Sequence, residues 1–438
     1  MADEWSTLPL EDCMAAIIDY RGKSPEKTTF GVPLITAKIV KGGRIEKPEE
    51  FIAEADYEDW MRRGMPNPGD IVMTTEAPLG EVAQLDGRKV ALAQRVITLR
   101  GKPDVLDNTF LKFLLQSNPV QEELRSRGTG TTVVGIRQSE LRKVSLTLPP
   151  LAEQKAIAAV LGALDDKIEL NRRMNAMLEA TARALFQSWF VDFDPVRAKL
   201  DGRQPFGIDP GIAALFPGTF QDSDLGHVPM GWKATTLGAC IGFRSGFSFK
   251  SQDWQESGVP VVKIGSVKPG IIDLSQVSYV SEEIAQQAAR YRLSTGDMLI
   301  GMTGYVGEVG LVPPSNNPPL LNQRVGKFVM PKAGTESLAF WYCTTRQPEF
   351  RAFVEARSHG TAQANVSGEA IMEFPLVAPV PEVLDAFNRK CQPMLERILS
   401  NHAESRTLAT LRDTLLAKLL SGELSVADVA LAGSPATD

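Results

Sequence analysis

Histidine is scarce in this chain, with only His227, His359 and His402 among 438 residues. A nucleophilic triad would have to draw on one of the three, and no nucleophile-elbow motif marks a partner for any of them. Cysteine is nearly as sparse: Cys13, Cys240, Cys343 and Cys391 lie far apart and form no CxxC. An ordinary zinc site is thereby excluded, and free buried thiols are expected. No apolar run reaches the length of a membrane span, mean hydropathy is −0.10, and the first residues, MADEWSTLPLEDC, are too polar for a secretory leader. A cytoplasmic protein with no membrane partner is expected. Glycines Gly301, Gly304, Gly307 and Gly310 miss the phosphate-loop pattern because no GK[ST] follows. No strand leads into a glycine loop and an acidic residue suited to a dinucleotide or similar cofactor. The stretch NNPPL, Asn316 to Leu320, resembles an adenine-methyltransferase base clamp. It puts Leu320 where an aromatic ring should stack on the flipped base, and so reads as a proline-rich turn. Isolated enzyme activity, a metal and a resident cofactor are therefore not expected.

The net charge of −6 argues weakly against nucleic acid, but the charges are segregated. Between Arg21 and Lys47 seven basic residues face two acidic ones, whereas Glu49 to Asp59 carries six acidic residues and no basic one. A local basic face on an acidic protein is thus available.

What the chain has in abundance is itself. At an offset of 227 residues Trp5 matches Trp232, Leu10 matches Leu237 and Cys13 matches Cys240. VPLITAKIVKGG (Val32 to Gly43) matches VPVVKIGSVKPG (Val259 to Gly270), and PGDIVMTTEAPLGEV (Pro68 to Val82) matches TGDMLIGMTGYVGEV (Thr295 to Val309). The offset becomes 229 at AQRV (Ala93 to Val96) against NQRV (Asn322 to Val325), and 230 from GTTVVGI (Gly130 to Ile136) against GTAQANV (Gly360 to Val366). So small a drift indicates two copies of one unit. Short apolar runs bounded by Gly, Pro and Asp predict a β-rich α+β domain in each copy, with a helix at Asn108 to Gln116 capped by Asp107 or Asn108. Domain boundaries are expected at 1–150 and 232–379. Helical regions should occupy 151–193 and 380–422, with a connector over 194–231 and a tail over 423–438.

The helical regions carry heptads. Ile157, Leu164, Asn171, Leu178 and Leu185 share one position, with Leu161 and Ile168 on its companion. In the second region Phe387, Met394, Asn401, Leu408 and Leu415 repeat the first series, and Ile398 answers Ile168. A seam of this kind needs a partner helix, and the other copy supplies one, giving an antiparallel coiled coil whose two Asn residues fix register. Packing of each helix on its own domain is the competing arrangement. A helix of this length spans roughly 58 Å at about 1.5 Å per residue, a spacer between two like domains. Pro393 leaves the start of the second helix open.

Candidate binding residues recur in both copies. Gln94 with Arg95, and Gln323 with Arg324, set an amide beside a guanidinium, the groups that pair with adenine and guanine edges. A purely structural role, bracing the strand below, fits them equally. Arg125, Arg127, Thr129 and Thr131 belong to a small-residue basic loop, answered by Arg357, His359, Thr361 and Gln363, which suits either phosphate approach or a plain solvated turn. Lys38, Lys41 and Arg44, with Lys263 and Lys268, are candidate phosphate contacts. Trp189, Phe190 and Phe193, just past the first helix, are candidate anchors for a partner.

With these features assembled, the chain resembles the specificity subunit (HsdS) of type I restriction-modification systems. LPPLAEQKAIAAVLGALDDKIELNRRMN (Leu148 to Asn175), continuing to LFQSWFVDFDP (Leu185 to Pro195), resembles the family's central region. LFPGTFQDSDLGHVPMGW (Leu215 to Trp232) resembles its entry into the second recognition domain. VPEVLDAFNRKCQPML (Val380 to Leu395) lacks the Pro-Pro-Leu-x-Glu-Gln signature of Leu148 to Gln154. The resemblance implies an α+β protein of two recognition domains joined by two long helices, each domain reading one half of a bipartite double-stranded DNA target. It also implies two methylase (HsdM) subunits carrying S-adenosylmethionine, and motor-nuclease (HsdR) subunits using ATP and Mg, with no catalytic residue in this chain. A coiled-coil protein scaffold without DNA readout is the alternative.

Overall fold

A computed structural model describes residues 5–20, 22, 24–331, 338–359 and 364–432. The chain divides into two units, one comprising residues 1–167 and 408–438 and the other residues 168–407.

In the first unit an antiparallel sheet runs in the order Met14–Asp19, Val96–Gly101, Ile71–Thr75, Leu79–Gln84. Its central strand Ile71–Thr75 is buried throughout; Ile71, Val72 and Met73 are apolar, and the buried Thr74 and Thr75 hydroxyls are hydrogen-bonded, to the Glu81 amide and the Arg95 carbonyl. Helix Asn108–Gln116 covers the sheet. Asp107 caps it by accepting from the Phe110 amide at 2.9 Å, while Asn108 turns back to accept from the Gly101 amide at 2.8 Å. A smaller sheet pairs Leu34 with Ala91 and Ile35 with Leu92 in parallel. Strands Ser6–Pro9 and Ser145–Leu148 close the domain side by side.

The second unit repeats this plan. Its main sheet has the order Gly242–Ser245, Val325–Val329, Met298–Gly301, Val309–Leu311, Gly270–Ile271. The parallel pair recurs as Val261 with Leu320 and Val262 with Leu321. The closing pair recurs as Lys233–Thr236 with Pro375–Ala378. The register matches the sequence repeat: Ser6 faces Leu148, and Lys233 faces Ala378. Leu320, fully buried in its strand, and Asn317, donating to the Gly258 carbonyl at 3.1 Å, give the Asn-Pro-Pro stretch a structural role.

Two long helices, Leu151–Phe186 and Pro381–Leu420, are antiparallel to each other. In the first unit Asp165 meets Arg412, with Nη1 at 2.6 Å from Oδ1, and also pairs with Lys112. In the second unit Asn171 Nδ2 donates to Glu404 Oε2 at 2.8 Å and to Ser405 Oγ at 3.3 Å. Rising numbers on one helix thus meet falling numbers on the other. Ile157, Leu161, Asn171, Phe387, Ile398 and Asn401 are buried. Leu164, Ile168, Leu178, Leu185, Met394, Leu408 and Leu415 are partly buried, so no residue of the expected seam faces open water. Pro393 lies well inside the second helix, which starts at Pro381. One backbone bond is forfeited there, but Cys391, Leu395, Ile398 and Leu399 are buried around it and hold the helix in place.

Trp189, Phe190 and Phe193 are not surface anchors. They are buried in an aromatic core of the second unit, where Trp189 stacks edge-on against Phe216 at 5.1 Å and Phe190 against Phe387 at 5.0 Å. Rings of this size bury too much apolar area to be left in water when the connector can supply Phe216 and the domain Trp232. The four cysteines are free, and burial pushes the thiol of Cys391 up to about 12. No described helix is long and apolar enough to cross a membrane.

Candidate nucleic-acid interface

The Gln-Arg pair of each copy forms the tip of a tight turn. In the first, the Val96 amide reaches the Ala93 carbonyl at 3.3 Å, placing Gln94 and Arg95 between two strands of different sheets. In the second, the Val325 amide reaches the Asn322 carbonyl at 3.0 Å, and the Asn322 side chain accepts from the Arg324 amide at 3.2 Å. The arginine carbonyl is then fixed to the end of the central strand. Thr75 donates to Arg95 at 3.0 Å, and Met302 donates to Arg324 at 3.2 Å.

The basic loop docks onto the same strand end. Thr129 and Gly135 exchange backbone bonds of 2.8 and 3.0 Å, and the Ile136 amide donates to the Thr75 carbonyl at 2.9 Å. The counterparts are equal in kind: His359 and Asn365 exchange bonds of 2.8 and 2.9 Å, and Val366 donates to Met302 at 2.9 Å. Gly130 is obligatory in the first loop, since its φ is +119° and a Cβ would lie 2.1 Å from the Val133 carbonyl oxygen.

Turn and loop thereby enclose an open pocket of about 260 Å³ in the first unit, lined by Glu76, Gln94, Arg95, Thr129 and Arg137 among others. Of the sequence-predicted residues, Gln94, Arg95 and Thr129 meet there, and Thr131 is exposed on the same loop. Arg127 is engaged elsewhere, at 2.9 Å from Glu123 and 3.6 Å from Glu140. Arg125 lines a different groove, with Gly42 and Gly43. Lys38 and Arg44 are exposed, while Lys41, on the hairpin with Arg44, lies 3.6 Å from Glu46.

In the second unit Arg324 and His359 are exposed, and Gln323 is half-buried with its Oε1 unpaired among the described residues. Arg357 lies 3.5 Å over the Phe353 ring. Lys263 sits 4.5 Å over Trp254 and donates to Ser278 Oγ at 3.3 Å, whereas Lys268 is exposed, 5.2 Å above Tyr305. Thr361 and Gln363 lie outside the described residues.

Two pocket residues escaped the sequence reading. Glu76 pairs with Arg95 at 2.8 Å, and Arg137 opens the short helix Gln138–Leu141 beside it. The signal for Glu76 was present: it aligns with Thr303 inside an otherwise similar segment of the repeat.

Two domains built on one plan, each with the same exposed junction and joined by paired helices, define a repeated recognition scaffold. Comparison with known proteins gives the class. The family model for the type I restriction modification DNA specificity domain matches residues 24–180. The chain is similar to the HindI specificity subunit of Haemophilus influenzae, 27% identical over 359 residues covering 72% of this chain and 77% of that one. It is also similar to the MjaIX specificity subunit of Methanocaldococcus jannaschii, 25% identical over 405 residues covering 91% and 88%. The crystal structure of the type I restriction-modification S subunit from M. genitalium superposes with a TM-score of 0.58 at 18% identity, covering 95% of this chain and 96% of that one. The chain is therefore similar over most of its length to specificity subunits of type I restriction-modification systems, and its residues 24–180 match that family's DNA specificity domain.

Proposed function

We propose that each of the two domains reads one half of a bipartite double-stranded DNA target, and that the long helices set the distance between the halves and dock two methylase subunits. The observation that carries this reading is the repeated junction. The same backbone bonds recur at Thr75 and Met302, yet the side chains around them differ, with Glu76 against Thr303 and Gly135 against Asn365. Constant scaffold with variable side chains is what two readers of different sequences need, since backbone fixes position and base-facing groups specify. On this reading S-adenosylmethionine belongs to the methylase subunits and ATP with Mg to motor-nuclease subunits, and the assembly works in the cytoplasm. Gln94, Arg95, Thr129 and Thr131, with Gln323, Arg324 and His359, are the base-facing candidates, and Lys38, Arg44 and Lys268 the phosphate-facing ones.

The test is adenine-methylation mapping of DNA from cells that make this chain with its methylase subunit. A bipartite motif with a fixed spacer supports the reading. A stable complex that methylates no defined motif, and whose DNA affinity has no salt dependence, supports instead a protein scaffold without DNA readout.

A further inference from the structure

The two junctions treat their arginines differently. Glu76 and Thr303 hold equivalent places, each bridged in antiparallel fashion to the docking loop, at Gly135 and Asn365 respectively. Glu76 Oε1 lies 2.8 Å from Arg95 Nε, with both side chains about half exposed, at 42% and 53%. Thr303, only 8% exposed, turns the other way and donates to Asn365 Oδ1 at 2.8 Å. Arg324 is left exposed, with no carboxylate paired to it among the described residues. An exposed ion pair is held weakly in water, so folding stability gives little reason for Glu76 to stand there.

The chemistry of base edges gives one. A free guanidinium offers two parallel N–H groups, and guanine is the base whose major-groove edge presents two adjacent acceptors, O6 and N7. A guanidinium clamped by a carboxylate offers an acceptor and a donor side by side. That combination fits an exocyclic amino group, on cytosine N4 or adenine N6, and turns away a guanine edge. We infer that the position held by Glu76 in one domain and Thr303 in the other determines specificity, the Glu76–Arg95 pair selecting adenine or cytosine, whose amino group lies on the major-groove edge, and the unclamped Arg324 selecting guanine.

This rests on the reading that the junctions face DNA, and the experiment separates the two ideas. Methylation of duplexes carrying single-base replacements is measured for the complex of this chain with its methylase subunits. The chains compared are wild type, Glu76→Thr, Glu76→Gln, Arg324→Ala and the double variant Thr303→Glu with Asn365→Gly. The Glu76 variants should admit guanine at one position of one half-site, moving the rate ratio there by about tenfold or more. The double variant should lose guanine at one position of the other half-site by a similar factor. If Arg324→Ala relaxes one position while both Glu76 variants keep every wild-type ratio, the selector is refuted and the DNA-facing reading stands. If none of the variants, Arg324→Ala included, alters any ratio, the DNA-facing reading itself falls. Glu76 is exposed and Gln is close to it in shape, so that arm decides the matter even if the double variant does not fold.

Discussion

Asn401 donates from Nδ2 to Oδ1 of Asn175 at 2.8 Å, and one repeat away Asn171 reaches Ser405, the counterpart of Asn175, at 3.3 Å. The two contacts are the same bond made twice by a duplicated helix paired with itself. Each donor Asn keeps a buried Oδ1 without a partner, so the layer costs stability while tying these four residues to one register. Asn401→Ala should lower stability by about 1–2 kcal/mol, and a double-mutant cycle with Asn175→Ala should show coupling of roughly 0.5–1.5 kcal/mol. Replacing both by Leu should raise the melting midpoint. Calorimetry on the four chains of the cycle and on the double Leu variant checks all three outcomes.

Asp165 holds two cations, Arg412 and Lys112, with side chains between 11% and 19% exposed. Asp165→Ala leaves both charges partly buried without their shared counter-ion and should cost about 3–5 kcal/mol. Denaturant unfolding of the first unit's signals measures it, and Lys112→Met in the same background should recover part of the loss.

Hydrogen bonds from Arg172 first, then Arg173, each 2.7 Å long, hold the Glu169 carboxyl down at about 2 against an ordinary 4.5. Because the folded value is depressed, the stabilisation is present above the unfolded value and is lost as pH falls from about 5 towards 2. Glu169→Gln should flatten the acid limb of the melting-temperature profile in that window and leave the neutral region nearly unchanged.

The antiparallel register also says where the helices can be lengthened. Leu164 and Met394 are equivalent in the repeat but do not face each other. Asp165 meets Arg412, so a heptad inserted after Leu164 must be matched by one after Arg412. The pair lengthens by about 10 Å, or about three base pairs at 3.4 Å each. Methylation mapping should show a longer spacer between unchanged half-sites, and an unchanged spacer in an active complex would overturn the ruler.

Duplication made much of this legible in sequence. The repeat predicted that Gln94–Arg95 and Gln323–Arg324 occupy the same local setting, and they form the same turn on the same strand end. The heptads predicted an antiparallel partner, and the Asn layer formed. What sequence could not give was long-range pairing. That Glu76 clamps Arg95 depends on a strand end meeting a turn nineteen residues later, which no local period encodes. The burial of Trp189 and Phe190 depends on Phe216 arriving from the connector and Trp232 from the second domain. Pro393 misled for a related reason: intrinsic propensity counts against it, and only tertiary burial of its neighbours outweighs that.

Each domain begins and ends on adjacent antiparallel strands, Ser6 opposite Leu148 and Lys233 opposite Ala378. Entry and exit are therefore about 5 Å apart, the spacing of paired strands. A segment whose two ends lie side by side can be excised and replaced by a foreign one of any internal length without stretching the host chain. Inheritance could thus trade such domains whole, by crossovers at two short borders that lie side by side, leaving everything outside the borders untouched.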